Sequence, residues 1–454
     1  MSVAELAGRL RAGELSPREA VLCYLDRIET TRELNAYLHV DAELALAEAE
    51  RAPRGPLFGV PVAVKDVIDV AGMPTTAASA ILHRVAERDA SAVARLRAAG
   101  AVVLGKLNTH EFAFGATTTS PHFGPARNPW SPDRIAGGSS GGSGVAAAAD
   151  LAAGTLGTDT AGSIRIPACL CGVTGLRPST GLVPTDGVEP VSRTLDTVGP
   201  IARSAADCSL LLEALAPGYG PQLDGGVEGL RIGVVEALFD RAQPAVAGLA
   251  EAAVGELGAA GARVSRSAIP LLEESGTILQ AVMLPEAAEA HLERLRTRLR
   301  DYGPDVRTRL LAGLLLPATA HVSDERGRRR FQAELDRVLG EFDLLALPAM
   351  PVVAPPIGEE TVELRGERLL YRLALIPFNS PWALAGLPVA SIPCGFVDGL
   401  PVGLALVGRR LDEATVLRAA HAYQRETDWH ERRPPDLPSH AESRIQTANP
   451  RRGG

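Results

Sequence analysis

The spacing of apolar residues divides the first part of the chain into alternating helical and strand-like segments. Residues 1–55 carry apolar positions at helical spacing between charged ones, which predicts an N-terminal helical segment. Residues 60–70 (VPVAVKDVIDV) form a β-branched run between glycines, and this run predicts a buried strand that contains Lys65. A helical pattern at 90–99 and a second strand at 101–105 follow. This alternation is typical of an α/β protein whose sheet is at least partly parallel.

The second half of the chain combines longer helices with strand-like and apolar segments. Helical spacing covers 244–261, 283–301 and 325–340, a strand-like segment covers 230–235, and apolar segments return at 343–354 and 388–408. Residues 433–454 are rich in Pro, Arg, Ser and Gly and show no periodicity, so we expect a disordered tail there.

Composition narrows the class of protein. The 454 residues are 46% hydrophobic and 22% charged, as in an ordinary globular protein, which excludes a disordered or fibrous chain. The formal net charge of -8 gives no general attraction to nucleic-acid or membrane phosphates. No apolar run approaches the roughly 20 residues that span a bilayer, and the N-terminus has no secretion pattern. We therefore expect a soluble protein that binds neither nucleic acid nor membrane.

The cysteines indicate the compartment. There are five, an odd number, and none forms a CxxC pair, which favours neither a disulfide framework nor a zinc site. We expect no metal, no cofactor and a cytoplasmic location, where thiols stay reduced.

The scarcity of lysine points to candidate chemistry. Lys65 and Lys106 are the only two lysines in the sequence, and every other basic side chain among the 46 is arginine. An ammonium group can lose its proton near neutral pH, whereas a guanidinium cannot. Because Lys65 lies on an apolar strand, burial is expected to depress its pKa and make it a candidate base.

A glycine- and serine-rich stretch, GGSSGGSG at 137–144, admits several interpretations. It lacks the lysine of a phosphate-binding Walker loop and the third glycine of a dinucleotide fingerprint. The nucleophile elbow GxSxG of α/β-hydrolases matches twice, with Ser139 and with Ser140, but no hydrophobic strand precedes it. A plain linker does not explain the second motif, GTDTAGSIRIP at 157–167, which carries Ser163. An intervening helix and strand would bring both motifs to one edge of the sheet.

Cleavage of an amide needs a nucleophile, a base, an acid for the departing amine and donors for the oxyanion. Of the nine histidines, only His110 and His122 fall in this region, and neither belongs to a recognisable pattern. A neutral lysine is the alternative base. The residues alone therefore suggest Lys65, Ser139 and Ser163 as the chemical group.

Several segments together resemble the amidase signature family: GVPVAVKD at 59–66, GGSSGGSG at 137–144, GTDTAGSIRIPA at 157–168 and GLRPSTGLVP at 175–184. The resemblance continues through 192–204, 343–358 and 386–396 and covers the chain to about residue 430. It implies one large α/β domain at 1–432, with a central mixed, partly parallel sheet covered by helices on both faces. Residues 1–55 would be its N-terminal helical segment and 215–340 a variable helical region.

The resemblance also implies a Ser-cisSer-Lys triad. Lys65 matches the family lysine, Ser139 the intermediate serine and Ser163 the nucleophile. Lys106 lies outside the triad and is expected to be structural. The implied oxyanion hole consists of backbone amides, and side chains nearby are expected in supporting roles: Thr160, Ala161, Gly162 and Ser163 for the hole; Ser140, Asp159 and Arg165 for support.

The implied function is hydrolysis of a linear carboxamide in a small molecule, through an acyl-enzyme on Ser163 and without a cofactor. A homodimer is the implied assembly. The alternatives are the glutaminase (A) subunit of a tRNA-dependent amidotransferase, an α/β-hydrolase-type esterase and a catalytically silent binding protein.

Overall fold

The protein, described here by a computed structural model for residues 1–220, 223–435 and 437, is built around one eleven-stranded sheet. We number its strands β1 (Tyr37–Val40), β2 (Pro61–Lys65), β3 (Val102–Leu107), β4 (Gly154–Asp159), β5 (Thr174–Arg177), β6 (Thr197–Ala202), β7 (Arg231–Val235), β8 (Arg263–Ser267), β9 (Leu344–Pro348), β10 (Val389–Val397) and β11 (Leu400–Gly408). Their order in the sheet is β1-β3-β2-β4-β6-β5-β10-β11-β9-β7-β8.

The sheet is mixed. Strand β2 pairs in parallel with β3 and β4, and β7 pairs in parallel with β8 and β9. The remaining pairs are antiparallel, including the long β10–β11 hairpin. The predicted α/β fold with a partly parallel central sheet is confirmed.

Fifteen α-helices in the described residues flank the sheet: α1 (Val3–Ala12), α2 (Pro17–Thr30), α3 (Ala42–Arg51), α4 (Ser91–Ala98), α5 (Gly141–Ala148), α6 (Arg165–Cys171), α7 (Ala205–Leu215), α8 (Glu236–Phe239), α9 (Pro244–Ala259), α10 (Leu272–Ala290), α11 (Leu292–Arg298), α12 (Pro304–Leu315), α13 (Ala318–Glu341), α14 (Tyr371–Ala385) and α15 (Glu413–Glu426). Both α1 and α2 begin with a capping box, in which a serine and a glutamate satisfy each other's backbone amides.

Small two-stranded sheets decorate the loops: Pro74–Thr75 with Arg84–Val85, Thr119–Ser120 with Gly124–Pro125, Arg127–Asn128 with Ser131–Ile135, and Thr361–Leu364 with Glu367–Leu370. Three of these pairs lie close to the segments that form the candidate site.

Three segments differ from the sequence-based expectation. The N-terminal segment is not wholly helical, because Tyr37–Val40 forms the edge strand β1 and pairs antiparallel with β3. The helix predicted at 283–301 is two helices, Leu272–Ala290 and Leu292–Arg298. The strand predicted over 60–70 ends at Lys65, where the Ile68 amide donates to the Lys65 carbonyl and closes a turn. Lys65 therefore lies at a strand end rather than inside the strand.

The hydrophobic core is continuous from α1 to α15. The expected domain limit at residue 432 stays a prediction, and most of the expected tail, residues 436 and 438–454, lies outside the described residues. Among the helices of the described part, none is both long and apolar enough to cross a bilayer.

Candidate active site

The candidate residues gather where two neighbouring parallel strands end. Lys65 is the last residue of β2, and Asp159 is the last residue of β4. Because the two strands are parallel partners, their carboxyl ends lie at the same edge of the sheet. Ser163 follows in the loop between β4 and α6, and Ser139 lies just before α5, which packs on β4.

Lys65 is fully buried and lies in contact with Ser139. Its Nζ is 2.7 Å from Ser139 Oγ, 2.8 Å from Thr158 Oγ1 and 3.5 Å from the Thr158 carbonyl. Burial lowers the pKa of Lys65 to about 7, although the carboxylates of Asp196 and Asp159 act in the opposite direction. A neutral amine has two N–H donors and one lone pair. These match two oxygens of Thr158 as acceptors and the Ser139 hydroxyl as a donor.

Ser139 is held by its backbone. The Gly138–Ser139 peptide bond is cis. The Ser139 carbonyl accepts the His110 amide at 3.1 Å and the Thr118 hydroxyl at 3.1 Å. A Cβ on Gly138 would lie 2.6 Å from the Thr117 amide nitrogen, so this position has room only for glycine. The Ser139 hydroxyl is thereby fixed toward Lys65.

Ser163 lies on the wall of a cavity of about 560 Å³. Its side chain is on the loop whose backbone is bound by the carboxylate of Asp159, which accepts the Gly162 amide at 2.8 Å and the Ile164 amide at 3.1 Å. The Ser163 carbonyl accepts the Ser140 amide at 3.2 Å, which joins the two serine-bearing segments. Gly138 lines the same cavity.

The loop that carries Ser163 is held in place by Asp159, Arg165 and Arg177. Arg165 donates to both Asp159 oxygens at 3.0 Å, and Arg177 donates to Oδ1 at 3.1 Å. Burial alone would raise the pKa of Asp159, but the two guanidinium groups lower that pKa far below its ordinary value. The carboxylate is therefore ionised, and it fixes the backbone on either side of Ser163.

Ser140 contacts strand β4. Its hydroxyl donates to the Thr158 carbonyl at 3.1 Å and accepts the Thr158 amide at 3.3 Å. It thus positions the residue that also bonds to Lys65.

The predicted backbone donors lie in the same loop. Thr160 and Ala161, like Ser163, line the cavity. Gly162 has a φ of 128°, and its amide is directed to Asp159.

Sequence reasoning missed two residues of this site, Thr158 and Asp196. Thr158 is a polar residue within the motif that carries Ser163, and its place next to Asp159 at the end of an apolar strand could have indicated it. Asp196 is 36 residues from Thr160, whose hydroxyl it accepts, and it also accepts the amides of Val191 and Ser192. Burial raises the pKa of Asp196, and the Lys65 charge lowers it. No local pattern signals such a contact.

Lys106 and the two histidines lie beside the site. Lys106 Nζ is 2.9 Å from Asp66 Oδ1 in a buried ion pair, which fixes the turn after Lys65. His110 lines the cavity with Nε2 3.5 Å from Asp305, and His122 Nε2 lies 3.4 Å from Glu111.

The nucleophile-elbow interpretation requires a strand of the central sheet that leads directly into the serine. The strand before Ser139 and Ser140 is instead Ser131–Ile135, which belongs to a small two-stranded sheet, and residues 136–138 separate it from the serine pair.

The fold and the comparisons with known proteins place the chain in a class, the α/β enzymes that act on carbon–nitrogen bonds. A family model described as Amidase matches residues 19–417. The chain belongs to this amidase family, as its resemblance to the amidase signature predicted.

Known relatives include both hydrolases and one component of a larger enzyme. The chain is 38% identical to the A subunit of a glutamyl-tRNA(Gln) amidotransferase from Roseiflexus sp. (strain RS-1), over 96% of this chain and 98% of the relative. A solved amidase structure superposes with a TM-score of 0.89 at 37% identity, over 94% of this chain and 100% of the other. The peptide amidase from Stenotrophomonas maltophilia superposes with a TM-score of 0.83 at 33% identity, over 97% and 99% of the two chains.

Proposed function

We propose that the protein hydrolyses a linear carboxamide of a small molecule through an acyl-enzyme on Ser163, with Ser139 and Lys65 as a proton relay. The observation that carries this proposal is the buried Lys65 amine, whose pKa is about 7 and whose Nζ is 2.7 Å from Ser139 Oγ. At neutral pH a large fraction of this amine is unprotonated and able to accept a proton.

In the acylation step, Ser163 Oγ attacks the amide carbonyl carbon. The Ser163 proton passes to Ser139, and the Ser139 proton passes to Lys65, which becomes an ammonium. The relay then runs backwards: Lys65 returns a proton to Ser139, which protonates the amide nitrogen as the C–N bond breaks. The amine leaves, the acyl group stays on Ser163 as an ester, and Lys65 is neutral again.

Water releases the acid by the same route. It gives a proton through Ser139 to Lys65 while its oxygen attacks the ester carbonyl. When the tetrahedral intermediate collapses, Ser163 Oγ recovers its proton through the relay, and the carboxylic acid departs.

The oxyanion needs N–H donors that are not already bonded to another group. We assign it to the amides of Thr160, Ala161 and Ser163. The Gly162 amide, which the resemblance also implied, donates to Asp159. Gly162 acts instead through its φ of 128°, which reverses the chain between the donors.

A fluorophosphonate label tests the nucleophile. Mass spectrometry of the digested protein is expected to find the label on Ser163, and Ser163→Ala is expected to lose labelling and at least about 1,000-fold in amidase kcat/KM. The matched control is Ser131→Ala, a serine of the loop sheet, which should keep both. If Ser163→Ala is labelled like the wild type, another group is the nucleophile.

The second candidate is the A subunit of a tRNA-dependent amidotransferase, which the relative from Roseiflexus favours. Ammonia release from glutamine that depends on charged tRNA together with a B-type subunit would decide for it. For the stand-alone hydrolase we propose a cytoplasmic homodimer, to be checked by sedimentation of the purified chain.

A further inference from the structure

The cavity beside Ser163 has a largely apolar wall. Side chains from the loops and from α6, α10, α12 and α14 form it: Phe114, Ile135, Ile166, Val191, Leu279, Met283, Val306, Leu375 and Ile376. Its volume of about 560 Å³ lies in the range of cavities that enclose drug-sized ligands and exceeds what a one- or two-carbon amide would fill.

The two charged side chains of the inner wall, Glu111 and Arg309, have partners within the protein. Arg309 donates to the Phe114 carbonyl and, at 2.6 Å, to Oδ2 of the exposed Asp305, whereas its Nε is buried and has no partner among the described residues. Glu111 is almost fully buried, and it accepts the Ser79 hydroxyl at 2.6 Å and the Gly303 amide at 2.8 Å. The inner wall therefore offers one unpaired guanidinium N–H and, among the described residues, no buried carboxylate oxygen without a partner.

The other charged residues of the cavity lie at its open end. Glu359, Glu360 and Arg372 line it but are exposed to solvent, where water weakens their interactions. A substrate with an ammonium and a carboxylate would have to place its ammonium among apolar side chains or keep both charges at the solvent-exposed end of the cavity. Burying an unpaired charge costs several kcal/mol.

We infer that the substrate carries an uncharged, apolar group next to its amide, and that the site rejects glutamine. This inference rests on the proposed function, because it assigns the cavity beside Ser163 to the substrate. It separates the chain from the activity named for its amidotransferase relatives.

A pair of amides with the same skeleton tests the inference. In 4-methylpentanamide, methyl groups replace the ammonium and carboxylate of glutamine on an otherwise identical chain. We expect kcat/KM for ammonia release from 4-methylpentanamide to exceed that from glutamine at least about 100-fold. Comparable values for the two amides, or faster cleavage of glutamine, would overturn the inference.

Two substitutions on helix α14 test whether the cavity wall determines the substrate preference. Ile376 of α14 lines the cavity, whereas Leu373 of the same helix is 44% exposed and does not. Ile376→Asn is expected to lower the ratio of kcat/KM for 4-methylpentanamide over acetamide about tenfold, and Leu373→Asn should leave it unchanged within about twofold. Met283→Gln, a near-isosteric change on α10, is expected to lower the same ratio if Ile376→Asn does not fold. An unchanged ratio in the folded cavity variants, or an equal fall in Leu373→Asn, would contradict the assignment.

The two proposals fail differently. If Ser163 takes the fluorophosphonate label and acetamide is cleaved, but glutamine is cleaved as fast as 4-methylpentanamide, only the substrate class is wrong. If neither labelling at Ser163 nor cleavage of any amide occurs, the proposed hydrolase itself is wrong.

Discussion

At the scale of single residues, burial of the Lys65 amine costs free energy, and the proposed role of Lys65 as a base would explain why the amine is kept. A buried side chain of this length could be a methionine without any desolvation of charge. The chain instead keeps an amine whose pKa burial brings to about 7 and surrounds it with hydroxyl and carbonyl oxygens.

The pH dependence of activity should report the protonation state of the Lys65 amine. The proposed relay needs neutral Lys65, so kcat/KM is expected to rise about tenfold per pH unit below pH 7 and to level off above it. Lys65→Arg keeps a positive charge but cannot lose it, and we expect at least about 1,000-fold lower kcat at every pH. A profile that is flat between pH 5 and about 8 would exclude a lysine base with this pKa.

Stability gives a second measure of the same group. Between pH 7 and 10.5 the unfolded chain binds a proton at Lys65 that the folded chain has released, so the contribution of this group to the free energy of unfolding rises with pH in this window. Lys65→Met lacks the group. The difference in free energy of unfolding between the two proteins, from urea titrations, should shift by roughly 4 kcal/mol from pH 7 to about 10. A constant difference would show that Lys65 titrates alike in both states.

The residue types of the candidate site were predictable in part because the sequence has only two lysines. Lys65, Ser139 and Ser163 follow from rarity and motif, and the structure places Lys65 beside Ser139. Thr158 and Asp196 did not follow, because their roles depend on which strands and loops become neighbours.

At the scale of elements, the first turn of helix α5 packs directly against neighbouring backbone. A Cβ on Gly142 would lie 2.5 Å from the Ala36 carbonyl oxygen and 2.5 Å from the Asn108 amide nitrogen, both backbone atoms. Helix propensity favours alanine over glycine, but this close approach excludes it. The start of α5 therefore fits tightly against the end of β3, and it carries the Ser139 segment with it.

Two glycine-to-alanine substitutions compare the effect of close packing on stability with the effect of helix propensity. Gly142→Ala is expected to destabilise the protein by about 2 kcal/mol or more, since only backbone could move. Gly248→Ala, at an exposed position of α9 with no atom within 4 Å of the added Cβ, should stabilise by about 0.5 to 1 kcal/mol. Thermal unfolding of both variants checks the pair, and an equal shift in the same direction would contradict the stated contacts.

Several elements were predictable from period and composition, among them β2, β3, β7 and α9, whereas the helix predicted at 283–301 begins eleven residues earlier, at Leu272. The edge strand Tyr37–Val40 was missed because it is only four residues long and lies between helical patterns. The end of β2 depended on the turn closed by the Ile68 amide and the Lys65 carbonyl, which a β-branched run conceals.

At the scale of the whole molecule, an ionic cluster joins distant segments at the end of α5. Arg203 donates to Asp150 at 2.7 Å and to the carbonyls of Ala147 and Ala148 at 3.1 and 3.2 Å. Arg433 reaches the same carboxylate at 3.0 Å from the far end of the domain. Although burial raises the pKa of Asp150, these two arginines lower it to about 2.

Low pH should weaken this ionic cluster, because the Asp150 carboxylate becomes protonated. A carboxylate with a depressed folded-state pKa adds stability above its unfolded pKa of 3.8, and that stability is lost as the pH falls toward 2. Asp150→Asn, which also suits the φ of 54° at this position, should cost about 2 kcal/mol at pH 7 and proportionally less near pH 2. Urea midpoints at both pH values measure this, and an equal loss at both would mean that the charge is irrelevant.

The order of the strands could not be derived from the sequence. Strand β6 lies between β4 and β5 although β5 precedes it in the chain, and β9 pairs with both β7 and β11. Apolar alternation sets which face of a strand is buried, not which strand is its neighbour.

Both lysine ε-amines of the sequence are enclosed, Lys65 against Ser139 and Thr158 and Lys106 against Asp66. Reagents that couple to primary amines thus find neither lysine on the folded exterior. Endoproteases that cut after lysine should therefore leave the native fold intact.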